Sequence, residues 1–205
     1  SEKMQWMKLH DRNQIYIKLV DKYAVREYIT QQIGSDYLVP LIGVWDSPEE
    51  IDWEKLPNKF VLKTVNGSHT NIICTNKLEL DIEDAIIKLH KWQKSNQTFF
   101  YGREWAYKSV KPRIIAEEYI EASSDEGLVD YKFMCFSGKV DHVMLCHDRM
   151  SGHTRFDHFD KAWNFLPGKI LSEYEAEKVY PRPRSFDKMV EYSEILAKEF
   201  PIVRV

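Results

Sequence analysis

The residues best suited to chemistry lie in Phe60–Thr75, FVLKTVNGSHTNIICT. Lys63 stands near the end of an apolar run, Asn66-Gly67-Ser68-His69 form a small polar turn, and Thr70 to Cys74 begin the return. A hairpin with one interior lysine and a small tip suits phosphate, because turn N–H groups form an anion nest and glycine admits a close approach. The same pattern also describes an ordinary hairpin whose lysine faces water. In Val129-Asp130-Tyr131-Lys132 the period of two puts Asp130 and Lys132 on one strand face. That pair either holds a polar ligand between its charges or forms a solvated ion pair. Glu117 and Glu118 close an apolar strand and point to opposite faces, so they have different jobs. Arg149 and Arg155, with His153 and His158, make a basic loop that suits either an anionic substrate or open solvent. The histidines form no HxH or HExxH pair and the cysteines no CxxC pair, so no transition-metal site is read. Neither GxSxG nor a Walker A pattern is present.

These residues need a scaffold. Asp21 is read as the N-cap of a helix running to about Gln32 and stopped at Gly34, and Val39–Trp45 as a buried strand. Asp81 and Asp84 open an amphipathic helix whose apolar positions are Ile82, Ala85, Ile86, Leu89 and Trp92. Arg113–Ile120 reads as a strand, and residues 121–127 as an acidic loop. Val129–Phe136 and Val140–His147 read as antiparallel strands joined at Ser137-Gly138. Ser185 caps a last helix and Ile202–Val205 begin a strand, while residues 98–112 and 148–168 show no clear period. The opening Ser1-Glu2-Lys3 and the apolar end both read as cuts in a longer chain. The 205 residues, 43% hydrophobic and 30% charged, describe a globular protein, and a net charge of −3 argues against a general nucleic-acid binder. No signal peptide or transmembrane run is read, and three unpaired cysteines fit a reducing cytoplasm.

The order of the motifs resembles the TupA-like branch of the ATP-grasp superfamily, over nearly the whole chain. The residues that carry the resemblance are Asp21–Tyr28, Phe60–Lys63 with Asn66-Gly67-Ser68, Lys111-Pro112-Arg113, Ala116–Ile120, Asp130–Phe133 and Val203-Arg204-Val205. The fold it implies is α+β: an ATP-grasp of two α+β lobes clamping a nucleotide, C-terminally incomplete. Residues 1–58 become an N-terminal helical and linker region, 59–117 the small lobe with the phosphate hairpin, and 118–205 an incomplete large lobe. The resemblance implies that Lys22 and Lys63 hold ATP phosphates under the N–H groups of Gly67 and Ser68. The Glu118 carbonyl and the Ile120 N–H pair with adenine, Asp130 with the ribose hydroxyls, and Lys132 reaches phosphate or substrate. Arg204 is the catalytic residue, steadying the transferring phosphoryl group, and Arg149 and Arg155 bind substrate. Magnesium is implied as a cofactor, with ligands expected beyond Val205 and none within the chain.

The activity implied is ligation of a carboxylate to an amine through an acyl phosphate, in capsular or other surface-polysaccharide biosynthesis. Its partners are small molecules or polysaccharide precursors, with no nucleic acid. Two other readings stand beside it. A glycosyltransferase would need a nucleotide-sugar site, against which the lack of a DxD motif weighs. The other is a nucleotide-binding module without catalysis.

Overall fold

The structure is a computed structural model that describes residues 2–95, 102–122, 127–148, 154–168 and 180–205. The chain divides into two compact units, Ser1–Tyr119 and Ile120–Val205. Each is built on a four-stranded antiparallel sheet, which makes the fold α+β.

The first unit opens with α1 (Glu2–His10), α2 (Ile15–Val20) and α3 (Val25–Ile33). Its sheet has the order β1-β4-β2-β3, from β1 (Leu41–Trp45), β2 (Phe60–Thr64), β3 (Asn71–Cys74) and β4 (Ile114–Glu118). Strands β2 and β4 lie inside it, and alternation along them produces two buried faces. Phe60, Leu62, Ile114 and Ala116 pack with Leu89 of α4 (Ile82–Gln93). Ile115 and Val65 pack on the other face with Ile17, Val20 and Tyr23. Helix α4 starts where Asp81 accepts a hydrogen bond from the Asp84 N–H at 2.9 Å, as the sequence implies. Asp21 acts one turn earlier than a simple N-cap: it accepts from the Tyr23 and Ala24 N–H groups, and α3 begins only at Val25. Gly34 ends α3 at φ 96°. Part of the unplaced 98–112 stretch forms a single 3₁₀ segment, Trp105–Ser109.

The second unit has the order β7-β6-β5-β8, from β5 (Asp130–Phe136), β6 (Lys139–His147), β7 (Arg155–Phe159) and β8 (Ile202–Arg204). Helix α5 (Phe186–Ala197) covers one face, where Phe186 meets Phe133 and Trp163. Glu194 of α5 takes both Lys139 and Lys161 at 2.8 Å, and these hydrogen bonds pull its carboxyl down to about 2. The β5–β6 turn carries Ser137 at φ 48° and Gly138 at φ 76°, the left-handed pair that matches strand twist. A Cβ on Gly138 would lie 3.1 Å from the Lys198 carbonyl oxygen just past α5. Gly138→Ala is therefore expected to cost about 1–2 kcal/mol through strain and backbone crowding, read as a lower urea midpoint with unchanged slope.

Candidate functional site

Register explains the cluster at the centre of the first unit. Lys63 faces Ile115 across the β2–β4 pair and Val61 faces Glu117, so Lys63 and Glu117 share a face on a diagonal. The Lys63 Nζ reaches Glu117 Oε2 at 2.5 Å. The other oxygen, Oε1, accepts from Arg26 of α3 at 2.8 Å, and the same guanidinium donates to the Val39 carbonyl at 2.7 Å. Glu117 is 9% exposed and Lys63 30%, so the carboxylate is the buried hub and the lysine its more open partner.

Lys22 enters from the turn before α3. Its ammonium donates to the backbone carbonyls of Thr64, at 2.9 Å, and Gly67. The turn is fixed beneath it by Asp21, which accepts from Arg113 at 2.8 Å while that guanidinium lies 4.5 Å over the Tyr23 ring. Lys22, Arg26 and Lys63 thus gather around one carboxylate, Glu117, which leaves an excess of two positive charges. Burial, and then the Lys63 charge, pull the Lys22 ammonium down to about 8, against Asp21 and Glu117, which raise it. A group held in its charged form against burial and a like charge is stabilised by an arriving anion.

A cleft of about 280 Å³ opens on these side chains, with Tyr37, Leu38 and Val39 as its other wall. That is at the small end of ligand pockets and accommodates the phosphate part of a nucleotide. A larger hollow of about 1030 Å³ shares Arg26 but sets Arg26 and Arg113 against Glu27 and Asp36. Its charges balance and it contains no lysine, which makes it the poorer phosphate site.

The hairpin tip differs from what composition suggests. The loop spans residues 65–70 and is closed by Thr64 N–H donating to the Thr70 carbonyl at 3.1 Å. Its left-handed residue is His69, at φ 59°, not Gly67. A Cβ at Gly67 would lie 3.3 Å from the Thr70 side chain, a tight contact. The hydroxyls of Thr64 and Thr70 and the Asn66 Oδ1 are buried without hydrogen-bond partners, but Thr64 points with Phe60 and Leu62 to the face opposite Lys63, so its hydroxyl does not reach the cleft. The Lys22, Arg26 and Lys63 cluster around Glu117 fits a phosphate-bearing ligand. Among the described residues no group of three or more His, Cys, Asp or Glu is placed to hold a metal ion.

The TupA-like ATPgrasp family model matches residues 2–205. The chain belongs to the TupA-like ATP-grasp family. No curated protein and no solved structure matched it. Membership indicates an ATP-grasp, ligase-like function.

The residues expected at a TupA-like nucleotide site fall in both units. Lys22, Lys63 and Gly67 come together, and Ser68 is exposed at the hairpin tip beside them. Glu118 ends β4 with its N–H on the Pro40 carbonyl at 3.0 Å and its side chain exposed. Ile120 opens the second unit and is exposed. There the register sets Asp130 and Lys132 of β5 on one face with Arg204, which pairs with Met134, and Lys132 approaches Asp130 at 3.6 Å. Arg155 pairs with His147, in the row that carries the core-facing Leu145, and so lies on the other face. Arg149 and His153 lie outside the described residues.

The sequence assigns no role to Arg26, and it names Glu117 only as one of an adjacent pair with different jobs. The available signal was the Glu117-Glu118 pair, since only one of two adjacent strand residues can face the lysine strand. No helix among the described residues is long and apolar enough to cross a membrane.

Proposed function

We propose that this protein is an ATP-dependent carboxylate–amine ligase that works on surface-polysaccharide precursors. The observation that carries the proposal is the excess of positive charge formed by Lys22, Arg26 and Lys63 around Glu117, opening on a cleft. ATP enters as a substrate. Lys22 and Lys63 hold its phosphate oxygens, and Gly67 and Ser68 close over them with backbone N–H groups. The Glu118 carbonyl and Ile120 N–H read the adenine edge, and Asp130 accepts from the ribose. Lys132 and Arg204 neutralise charge on the transferring phosphoryl group. The acid's oxygen attacks the γ-phosphorus as the bond to ADP breaks. The amine nitrogen then attacks the acyl carbon, phosphate leaves and the nitrogen's proton is lost. Magnesium supplies neutralisation of the β- and γ-phosphates when bound.

The test is ADP release by the purified protein given ATP, magnesium, a panel of uronic acids and a panel of amino acids. Release that requires both an acid and an amine, with a condensed product, supports the reading. Turnover of a nucleotide-sugar without ATP, or ATP binding without ADP release, overturns it.

Lys22 adds a pH signature. Its folded-state value of about 8 lies below the ordinary lysine value, so the folded chain gives up this proton before the unfolded chain does. Fold stability contributed through Lys22 therefore rises with pH between about 8 and 10.5. Binding behaves in the opposite sense, because a bound phosphate favours charged Lys22. Nucleotide affinity is expected to hold steady below about pH 8 and to fall above it by up to about tenfold per unit. Titration calorimetry of wild type and Lys22→Arg checks this, since arginine stays charged and removes the fall.

A further inference from the structure

We infer that Lys132 and Cys146 form a reversible covalent bridge, nitrogen to oxygen to sulfur, when the protein meets hydrogen peroxide. The inference rests on the pairing of the β5–β6 strands. Asp130 lies opposite Cys146 and Lys132 opposite Met144, so Lys132 is diagonal to Cys146 on the face turned away from α5. The Lys132 side chain folds along that diagonal, and its Nζ comes to 2.9 Å from Cys146 Sγ. A nitrogen and a sulfur in direct contact can be joined by a single inserted oxygen without moving either strand.

The other cysteines lack such a partner in their hydrogen bonds. Cys74 contacts the Asn58 carbonyl at 3.7 Å, and Cys135 the carbonyls of Phe133 and Ser193. Burial also pushes the Cys135 thiol up to about 11, which keeps it inert. Cys146 is fully buried, so it cannot reach a cysteine of another molecule, whereas Lys132 is 26% exposed and gives a small oxidant a route.

The chemistry balances with two peroxide molecules. The first transfers one oxygen to the thiol, giving a sulfenic acid and water. The second oxidises the adjoining amine nitrogen: an N–O bond forms to the sulfenic oxygen, one N–H and the O–H are lost, and two waters leave. Four electrons pass to the two peroxides, and a dithiol reductant returns them to restore amine, thiol and water. The bridge removes a mobile cation. Where Lys132 contacts nucleotide, which rests on the function proposed above, peroxide becomes an off switch.

The experiment is peptide mass spectrometry of the full chain before and after peroxide, and again after dithiothreitol. The expected result is a peptide pair joining Lys132 to Cys146, heavier by one oxygen less two hydrogens and reversed by dithiothreitol. It persists in Cys74→Ser and Cys135→Ser and is lost in Cys146→Ser and in Lys132→Arg. Sulfenic or sulfinic acid on Cys146 with no link to Lys132 overturns the inference, as does recovery of Cys146 unmodified. Nucleotide affinity separates the two layers. A loss of about tenfold on oxidation, absent in Cys146→Ser, supports the switch. A bridge that leaves affinity unchanged keeps the covalent inference and removes Lys132 from the nucleotide site.

Discussion

Lys63→Ala is expected to weaken ATP binding by about tenfold to a hundredfold, the worth of a charge-assisted hydrogen bond of about 1.5–3 kcal/mol. The loss is predicted to be selective. Lys63 is the more solvent-open partner of Glu117, so its ammonium can turn from carboxylate to phosphate without leaving a neutral hole in the core. Adenosine, which has no phosphate, is therefore expected to bind wild type and variant alike. The fold is expected to survive, because Arg26 still holds the second oxygen of Glu117 at 2.8 Å. Calorimetric titration with ATP and adenosine checks both halves. Equal ATP affinity in the two proteins would remove Lys63 from the phosphate site.

Glu117→Ala is the second large effect, and it acts on the fold. The carboxylate compensates Arg26, which is largely buried, and Lys63, and it raises Lys22 against the cost of burial. Removing one partner of such a set strands the others, at a cost of about 3 kcal/mol, the low end for buried pairs because Lys63 keeps some solvent. The variant should unfold at a distinctly lower urea midpoint with little change in slope. It should also respond to anions: inorganic phosphate is expected to restore part of the lost stability, and to stabilise the variant more than wild type, by replacing the missing charge. A loss below about 1 kcal/mol, or no differential response to phosphate, would show that Glu117 does not balance these cations.

Much of the scaffold was legible because local chemistry decides it. The β5–β6 hairpin follows from Ser137-Gly138, where the chain needs two left-handed residues. Helix α4 follows from the Asp81 cap and its apolar spacing. The β2–β3 hairpin was legible as strands, but its turn chemistry was not, since His69 rather than Gly67 takes positive φ. Strand β7 was missed for a physical reason. Its sequence, RFDHF, puts charged and polar residues at buried positions, which alternation rules read as loop. Asp157 is buried there because His147 is its partner at 2.9 Å, and the Tyr180 hydroxyl closes on the other ring nitrogen at 2.8 Å. No local rule anticipates a contact between residues ten and thirty-three positions apart.

The site divides in the same way. Lys63 was readable from its strand and Asp130 with Lys132 from the period of two. The role of Glu117 was not, because it depends on Arg26, 91 residues away, arriving on a helix. Lys22 came only through family resemblance; its link to the hairpin runs through backbone carbonyls 42 and 45 residues away, which side-chain spacing does not encode.

The most direct test of the central claim, that Lys22 and Lys63 together hold nucleotide phosphate, is ATP protection of individual lysines from an amine-reactive reagent, read by peptide mass spectrometry near pH 8. Lys22, held down to about 8, is expected to label fast in the free protein. Saturating ATP is expected to slow labelling of both Lys22 and Lys63, while exposed lysines such as Lys55 and Lys139 react as before. Unchanged labelling of Lys22 and Lys63 at an ATP concentration that saturates binding would contradict the account.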